Sequence, residues 1–432
     1  MKRTVTIALA AVTVLGAAAC SSSSSGGGSS TSGGAGKTIT VWLQSDAQKG
    51  WPDVVTQATQ RFEQQTGAKV NIEWQQWSNY TTKLDSTFAG SSGIPDVVEL
   101  GNTQMSSYIS AGAFKDISGS KSSIPNSDSW LKGLELSATA PDGKLYGVPY
   151  YAGSRVVIYR TDLWKKAGVT TAPKTLDEMF ADLDKVAQAN AKKGFSAFYM
   201  PGKYWYAAMS FVYGAGGTIA DQQGGQWQGQ LASSQAQQGL DQWKTLATKY
   251  SVGGATKDEA DQDAIMSQGN TGAILGNGWE VGAVTDPKTG NPKLASVLGT
   301  FPLPGATEGN YTPSFLGGSD LAVPQKAPNG DLGLKWVEIF TDTQSQTALA
   351  KFAIPNTTSL LSVYEQQGQA NVSTGEAAKS TWFVPNTPNW ANVESSNVLQ
   401  NMLESIATGQ ATPAAAAADA DTKIASTLNA SS

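Results

Sequence analysis

The hydrophobic pattern becomes regular at Lys37. Residues 38–43 (Thr-Ile-Thr-Val-Trp-Leu) are β-branched and apolar and predict a strand. Residues 51–65 carry Val54, Val55, Ala58 and Phe62 at helical spacing, and Gly67 ends the helix. Residues 69–74 alternate and predict a second strand. Residues 80–89 predict a helix stopped by Gly90, and 95–100 a third strand. Strand, helix, strand, helix, strand implies a parallel sheet with right-handed crossovers.

The alternation continues downstream. Residues 146–159 predict two short strands around Gly153-Ser154. Thr175, with Glu178 three residues on, forms a capping box that opens a helix running to about Ala191. Further helices are predicted at 260–268, 332–342, 396–408 and 414–428, and short strands at 272–275 and 319–323. Trp42, Trp164 and Trp336 read as core, and Asp96, after Pro95, as structural. No internal repeat is present. The fold class predicted is α/β.

The N-terminus has a different pattern. Met1-Lys2-Arg3 precedes an uncharged, largely apolar run over 4–19 that is shorter than the roughly 20 residues of a membrane span. This predicts a signal peptide over 1–19. Ala17-Ala18-Ala19-Cys20 looks like a lipoprotein signal, so lipid is expected on the Cys20 sulfur. Residues 21–36 are Ser/Gly-rich and uncharged, which predicts a flexible tether. The remaining chain exceeds the roughly 250–300 residues at which single cores stop growing, so two lobes are expected.

Composition narrows the chemistry. There is no histidine and a single cysteine, which excludes Ser-His-Asp and Cys-His catalysis, His-ligated metals and an internal disulfide. No metal or cofactor is expected. The net charge of −5 offers no basic patch for nucleic acid. Charged residues are 15% of the chain, and the missing polarity is supplied by Gln, Asn, Ser and Thr. The 13 Trp and 13 Tyr are enough both to pack cores and to present flat faces to sugars. Open α/β sheets bind ligands beyond the carboxyl ends of their strands. There the chain places Gln44-Ser45-Asp46, Gln75-Gln76-Trp77, Gly101-Asn102-Thr103 and Asn277-Gly278-Trp279-Glu280. These are amides, carboxylates and indoles, with no phosphate loop and no GxGxxG.

Several stretches in order carry a family resemblance: PDVVELGNTQMSSYISAGAFKDIS at 95–118, GKLYGVPYYAGSRVVIYRTDLWKKAGV at 143–169, GAILGNGWEV at 272–281, GGSDLAVP at 317–324 and PNTPNWANV at 385–393. The chain resembles the extracellular solute-binding proteins of ABC importers, in the maltose-binding-protein-like, oligosaccharide-carrying branch. The resemblance implies a two-lobed, type II periplasmic-binding fold crossed three times by the chain. One lobe is expected at 37–149 plus 311–362, the other at 150–310 plus 363–432, with the ligand between them.

It also implies site residues. Trp279 stands where the family stacks an aromatic on a sugar ring, with Glu280 beside it. Gln44 and Asp46 follow the first strand, Trp77 and Asn79 the second, Asn102 and Thr103 the third. Tyr150, Tyr151 and Arg155 lie at the first crossing, where Arg155 either forks onto hydroxyls or pairs with a carboxylate. Adjacent side chains diverge, so Tyr204, Trp205 and Tyr206 cannot all be core, and Tyr204 is expected in the cleft. Ser319, Asp320 and Trp390 complete the set. The function implied is oligosaccharide capture by hinge closure and delivery to the transmembrane subunits of an ABC permease. The protein would be a monomer lipid-anchored on the extracellular face of the membrane. The rival classes are a secreted glycosidase, for which Glu280 and Asp320 would be the carboxylates, a surface lectin or adhesin, and a receptor for another solute such as a polyamine.

Overall fold

The computed structural model describes residues 34–430. The expected signal peptide, Cys20 and all but the last residues of the tether lie outside them. Thr38–Gln44 forms the first strand, and Pro52–Thr66 the helix after it. Pro52 sits in the first turn of this helix, and Gly67 closes it with φ 70°, a left-handed conformation that glycine adopts without strain. Val54, Val55, Ala58 and Phe62 form its buried face.

The larger sheet has six strands in the order Ile354–Pro355, Val148–Gly153, Gly317–Ala322, Val97–Gly101, Thr38–Gln44, Lys69–Gln75. The three N-terminal strands are parallel, in a register that pairs Thr38 with Lys69 and Val41 with Val97. Gly317–Ala322 runs antiparallel between Val97–Gly101 and Val148–Gly153. The sheet is therefore mixed, because this strand enters from the other lobe rather than through a local crossover helix. Strand alternation divides its core. Ile39, Val41, Leu43, Val97 and Leu321 pack with the Pro52–Thr66 and Gly330–Phe340 helices, whereas Trp42, Val98 and Leu100 pack with Tyr80–Ala89 and Met105–Ser110. Asp96 is structural, its two carboxylate oxygens accepting from the Thr40 and Asn329 amides at 2.9 and 2.6 Å.

The second sheet pairs Arg155–Arg160 antiparallel with Ala273–Asn277 on one side and Leu298–Phe301 on the other. Around it lie the helices Leu176–Ala189, Trp205–Gly214, Ser234–Thr245, Val398–Ala407 and Pro413–Leu428, which share one large core. Thr175 caps the first of these, and the Glu178 side chain returns to the Lys174 amide. The expected helix over 260–268 divides into a 3₁₀ turn at Glu259–Asp261 and a helix at Gln262–Ser267. No helix among the described residues is long and apolar enough to cross a membrane.

The chain changes sheet at Ser154 and again at Leu316. Gly153 pairs with Gly317 at this point, and Ser314 Oγ accepts from both Ser154 Oγ and the Arg155 amide. The third passage reaches the second sheet at Gln369–Ala377, where Ser373 meets Thr300; it is preceded by Asn356, whose side chain donates to the Pro149 carbonyl at 2.8 Å. Gln346 clamps it, accepting from the Asn356 amide and donating to the Tyr150 carbonyl.

Trp336 is fully buried, its ring 4.6 Å from that of Phe340 and packed over the Pro52–Thr66 helix. Trp336→Ala should cost about 3–5 kcal/mol, read as a lower urea midpoint.

Candidate functional site

The strand ends of the larger sheet deliver polar groups to one place. Gln44, last in the first strand, is fully buried, and both polar atoms of its amide lack a partner. Its backbone N–H donates to Glu99 Oε2 at 2.9 Å. Glu99 is buried in the third strand, and that burial raises its carboxyl to about 7. Ser319 and Tyr151 lie beside it. Tyr151 is half-buried, its ring 5.0 Å from Trp51. Tyr150 is fully buried and accepts a hydrogen bond from Trp51 Nε1. Nearby, Asp46 is exposed and accepts from Trp77 Nε1 at 2.7 Å. Trp77 is 41% exposed.

The other expected residues of this lobe are placed differently. Asn79 is exposed in the left-handed region, ahead of the Tyr80–Ala89 helix. Asn102 is buried, and its side chain donates to the Leu316 carbonyl at 2.7 Å, tying the third strand to a crossing. Asp320 pairs with Leu100 and so projects from the sheet face opposite Ser319. Fully buried beside Ser137, its carboxyl is also raised to about 7 by burial. Such a group is placed to hold a proton, not to reach a ligand.

On the second lobe the centre is Arg155. It pairs with a carboxylate: Nη2 donates to Glu259 at 3.0 Å and Nε to the Tyr204 hydroxyl at 2.6 Å, leaving Nη1 unpartnered. Its guanidinium lies 4.5 Å from the Tyr206 ring centre. Tyr204 is fully buried, so the ring of this trio that reaches accessible space is Tyr206, not Tyr204. Tyr206 stacks on Trp205 and Phe315, which holds its plane. Trp390 is buried in the core against Trp205. Thr103 of the first lobe lies beside Glu394, whose carboxyl is likewise raised to about 7 by burial.

Trp279 is 62% exposed, on the turn after Ala273–Asn277. Glu280 builds that turn: its carboxylate accepts from the Asn277 amide at 2.8 Å and from Gln262. Burial raises Glu280 to about 7, against the opposing pull of the Asn277 N–H and Arg155. The benzo edge of Trp279 lies on Gly153, where a Cβ would come within 2.2 Å of the ring. Only glycine at the first crossing permits this contact. A cavity of about 410 Å³ opens there, lined from both lobes by Trp51, Gly153, Trp279 and Phe352.

This arrangement of two lobes, paired crossings and an aromatic-edged cleft matches a known family. The chain belongs to the bacterial extracellular solute-binding proteins. Their family profile matches residues 43–347. The diacetylchitobiose binding protein DasA of Streptomyces coelicolor is 33% identical over 388 residues, covering 89% of this chain and 88% of its own. The maltooligosaccharide ABC transporter solute-binding lipoprotein of Streptococcus pneumoniae is 26% identical over 405 residues, covering 91% and 89%. The sugar-binding protein MalE of Xanthomonas citri superposes with a TM-score of 0.79 at 20% identity, covering 91% of this chain and 97% of that one. That likeness establishes the two-lobed, type II periplasmic-binding fold.

Within this solute-binding protein, sequence reasoning missed Glu99, Trp51, Glu259 and Glu394. Glu99 carried a signal, a lone carboxylate inside an apolar strand. Glu259 and Glu394 sit on short helical segments and acquire their surroundings only through tertiary packing.

Glu99, Glu280, Asp320 and Glu394 all hold their protons to higher pH in the folded chain than in the unfolded one. The folded state therefore binds more protons between the ordinary carboxyl range and about 7, and stability falls as pH rises through that window. Glu99→Gln should flatten this slope by up to about 1 kcal/mol per pH unit. Urea unfolding of the two proteins at about pH 5 and about pH 7.5 measures it, and an unchanged slope would exclude a buried protonated Glu99.

Proposed function

We propose that this solute-binding protein captures an oligosaccharide and delivers it to the membrane subunits of an ABC importer. The observation that carries the reading is Trp279: a large indole left exposed at a cavity lined by both lobes. Elsewhere at the strand ends of the two lobes lie buried polar groups without partners, the Gln44 amide and Arg155 Nη1. Burying such atoms is costly unless something bonds them. Sugar hydroxyls donate and accept together and so suit an amide, an arginine and a carboxyl at once. Sugar C–H faces suit the indole. The names of the Streptomyces and Streptococcus relatives, a diacetylchitobiose and a maltooligosaccharide binder, point to the same ligand class.

Binding draws the lobes together about the paired crossings, a hinge closure. The role is capture without catalysis, because the Glu280 carboxylate is turned onto its own helix start. The protein acts as a monomer on the extracellular face of the membrane. It is held there by lipid on Cys20, with the Ser/Gly-rich segment as tether, and the word lipoprotein in the streptococcal relative's name agrees.

A thermal-shift screen of the protein lacking residues 1–19 against diacetylchitobiose, chitotetraose, maltose and maltotetraose tests the ligand class. A ligand at 100 times its Kd adds about 2.7 kcal/mol of stability. Trp279→Ala should weaken the best ligand roughly tenfold or more by calorimetry, and unchanged affinity would refute the stacking role. Released reducing sugar would instead mark a hydrolase. Mass spectrometry of the protein from its native membrane should find an acylated Cys20 at the N-terminus. A free thiol there would refute the anchor.

A further inference from the structure

The cavity at Trp279 extends to a second exposed aromatic. Phe352 is 55% exposed, against 62% for Trp279, and both line the same space. A phenyl ring kept in water forgoes the stabilisation that burial would bring, and chance does not explain two such rings around one cavity as simply as a shared ligand does. The position of Phe352 is set by the backbone. It follows the Thr343–Leu349 helix, and its amide donates to the Leu349 carbonyl at 2.8 Å. The strand Ile354–Pro355 then anchors the chain in the sheet. The walls around the two rings are mixed, with Ala152 and Ala353 beside the Gln367 and Asn371 amides and the Lys351 ammonium. Flat apolar rings set among hydrogen-bonding groups match successive sugar rings, each with an apolar face and a rim of hydroxyls. The cavity volume of about 410 Å³ lies within the usual range of small-molecule sites.

We propose that Phe352 forms a second stacking subsite beyond Trp279, taking a further ring of an oligosaccharide longer than a disaccharide. The proposal rests on the oligosaccharide reading above. Phe352 thereby sets ligand length, while Trp279 and the buried polar groups hold the rings nearer the crossings. Because the side chain is exposed, its removal leaves the core untouched.

The test is calorimetry with the two-ring and four-ring members of the chitin and maltose series. Wild type should bind the four-ring member of its preferred series more tightly than the two-ring member. Phe352→Ala should reduce four-ring affinity about tenfold and leave two-ring affinity within about twofold. Phe352→Tyr, which keeps the ring, should retain the preference. A four-ring to two-ring ratio unchanged by Phe352→Ala overturns the subsite while the sugar reading stands through Trp279→Ala. Equal wild-type affinity for both lengths does the same. Wild type that binds none of the four sugars overturns the sugar reading and the subsite with it.

Discussion

The structure depends on the way the backbone passes between its two sheets. A crossing chain must keep its amides and carbonyls paired while it leaves one core for another. Here two crossings do so side by side, with Gly153 opposite Gly317 and the Ser314 hydroxyl accepting from Ser154 and from the Arg155 amide. The segment leading into the third passage is secured to the same strand through Asn356 and Gln346. Both sheets therefore end where the crossings begin. This sets Ser319 opposite Tyr151, just ahead of Arg155, with Glu99 beside it. It also explains Gly153, which must pair as a strand residue while an indole edge rests on it.

The chemistry of the cleft follows from burial without neutralisation. Arg155 has a carboxylate partner in Glu259, but Glu99 and Glu280 are bonded by amides rather than by a cation. Desolvation raises both. A protonated or weakly solvated carboxyl is a hydrogen-bonding group without a strong charge, suited to a neutral polyol. The absence of histidine and the scarcity of charge in the chain point the same way. Under the proposed reading, recognition is a matter of amides, hydroxyls and rings. Keeping Trp279 and Phe352 in water while most other Trp and Phe side chains are buried places the exposed apolar surface where a ligand can cover it.

Much of this was legible in the sequence. Local signals located the elements: the Pro52–Thr66 helix from its apolar spacing and Gly67, the Leu176–Ala189 helix from Thr175 and Glu178, and the two strands around Gly153-Ser154. The Trp205–Gly214 helix gave no such signal. It is buried on nearly all sides, so no polar face marks its period. The antiparallel insertion of Gly317–Ala322 was equally hidden, since strand direction depends on where the chain has been between two visits to one sheet.

At the site, the sequence determined which side chains stand at strand ends, because strand ends are set by local pattern. It thereby determined the kind of chemistry available: indoles, amides and carboxyls with no imidazole. The tertiary structure decided which of those groups face the cleft. Alternation about a bulge between Ser319 and Asp320 turns the first toward Glu99 and the second under the sheet. Packing buries Tyr204 and Trp390 and leaves Tyr206 accessible. Phe352 and Trp279, distant in the chain, share a cavity because Ile354–Pro355 pairs with Val148–Gly153 and the Trp279 ring rests on Gly153. Orientation and company are properties of packing between distant segments, and no local pattern encodes them.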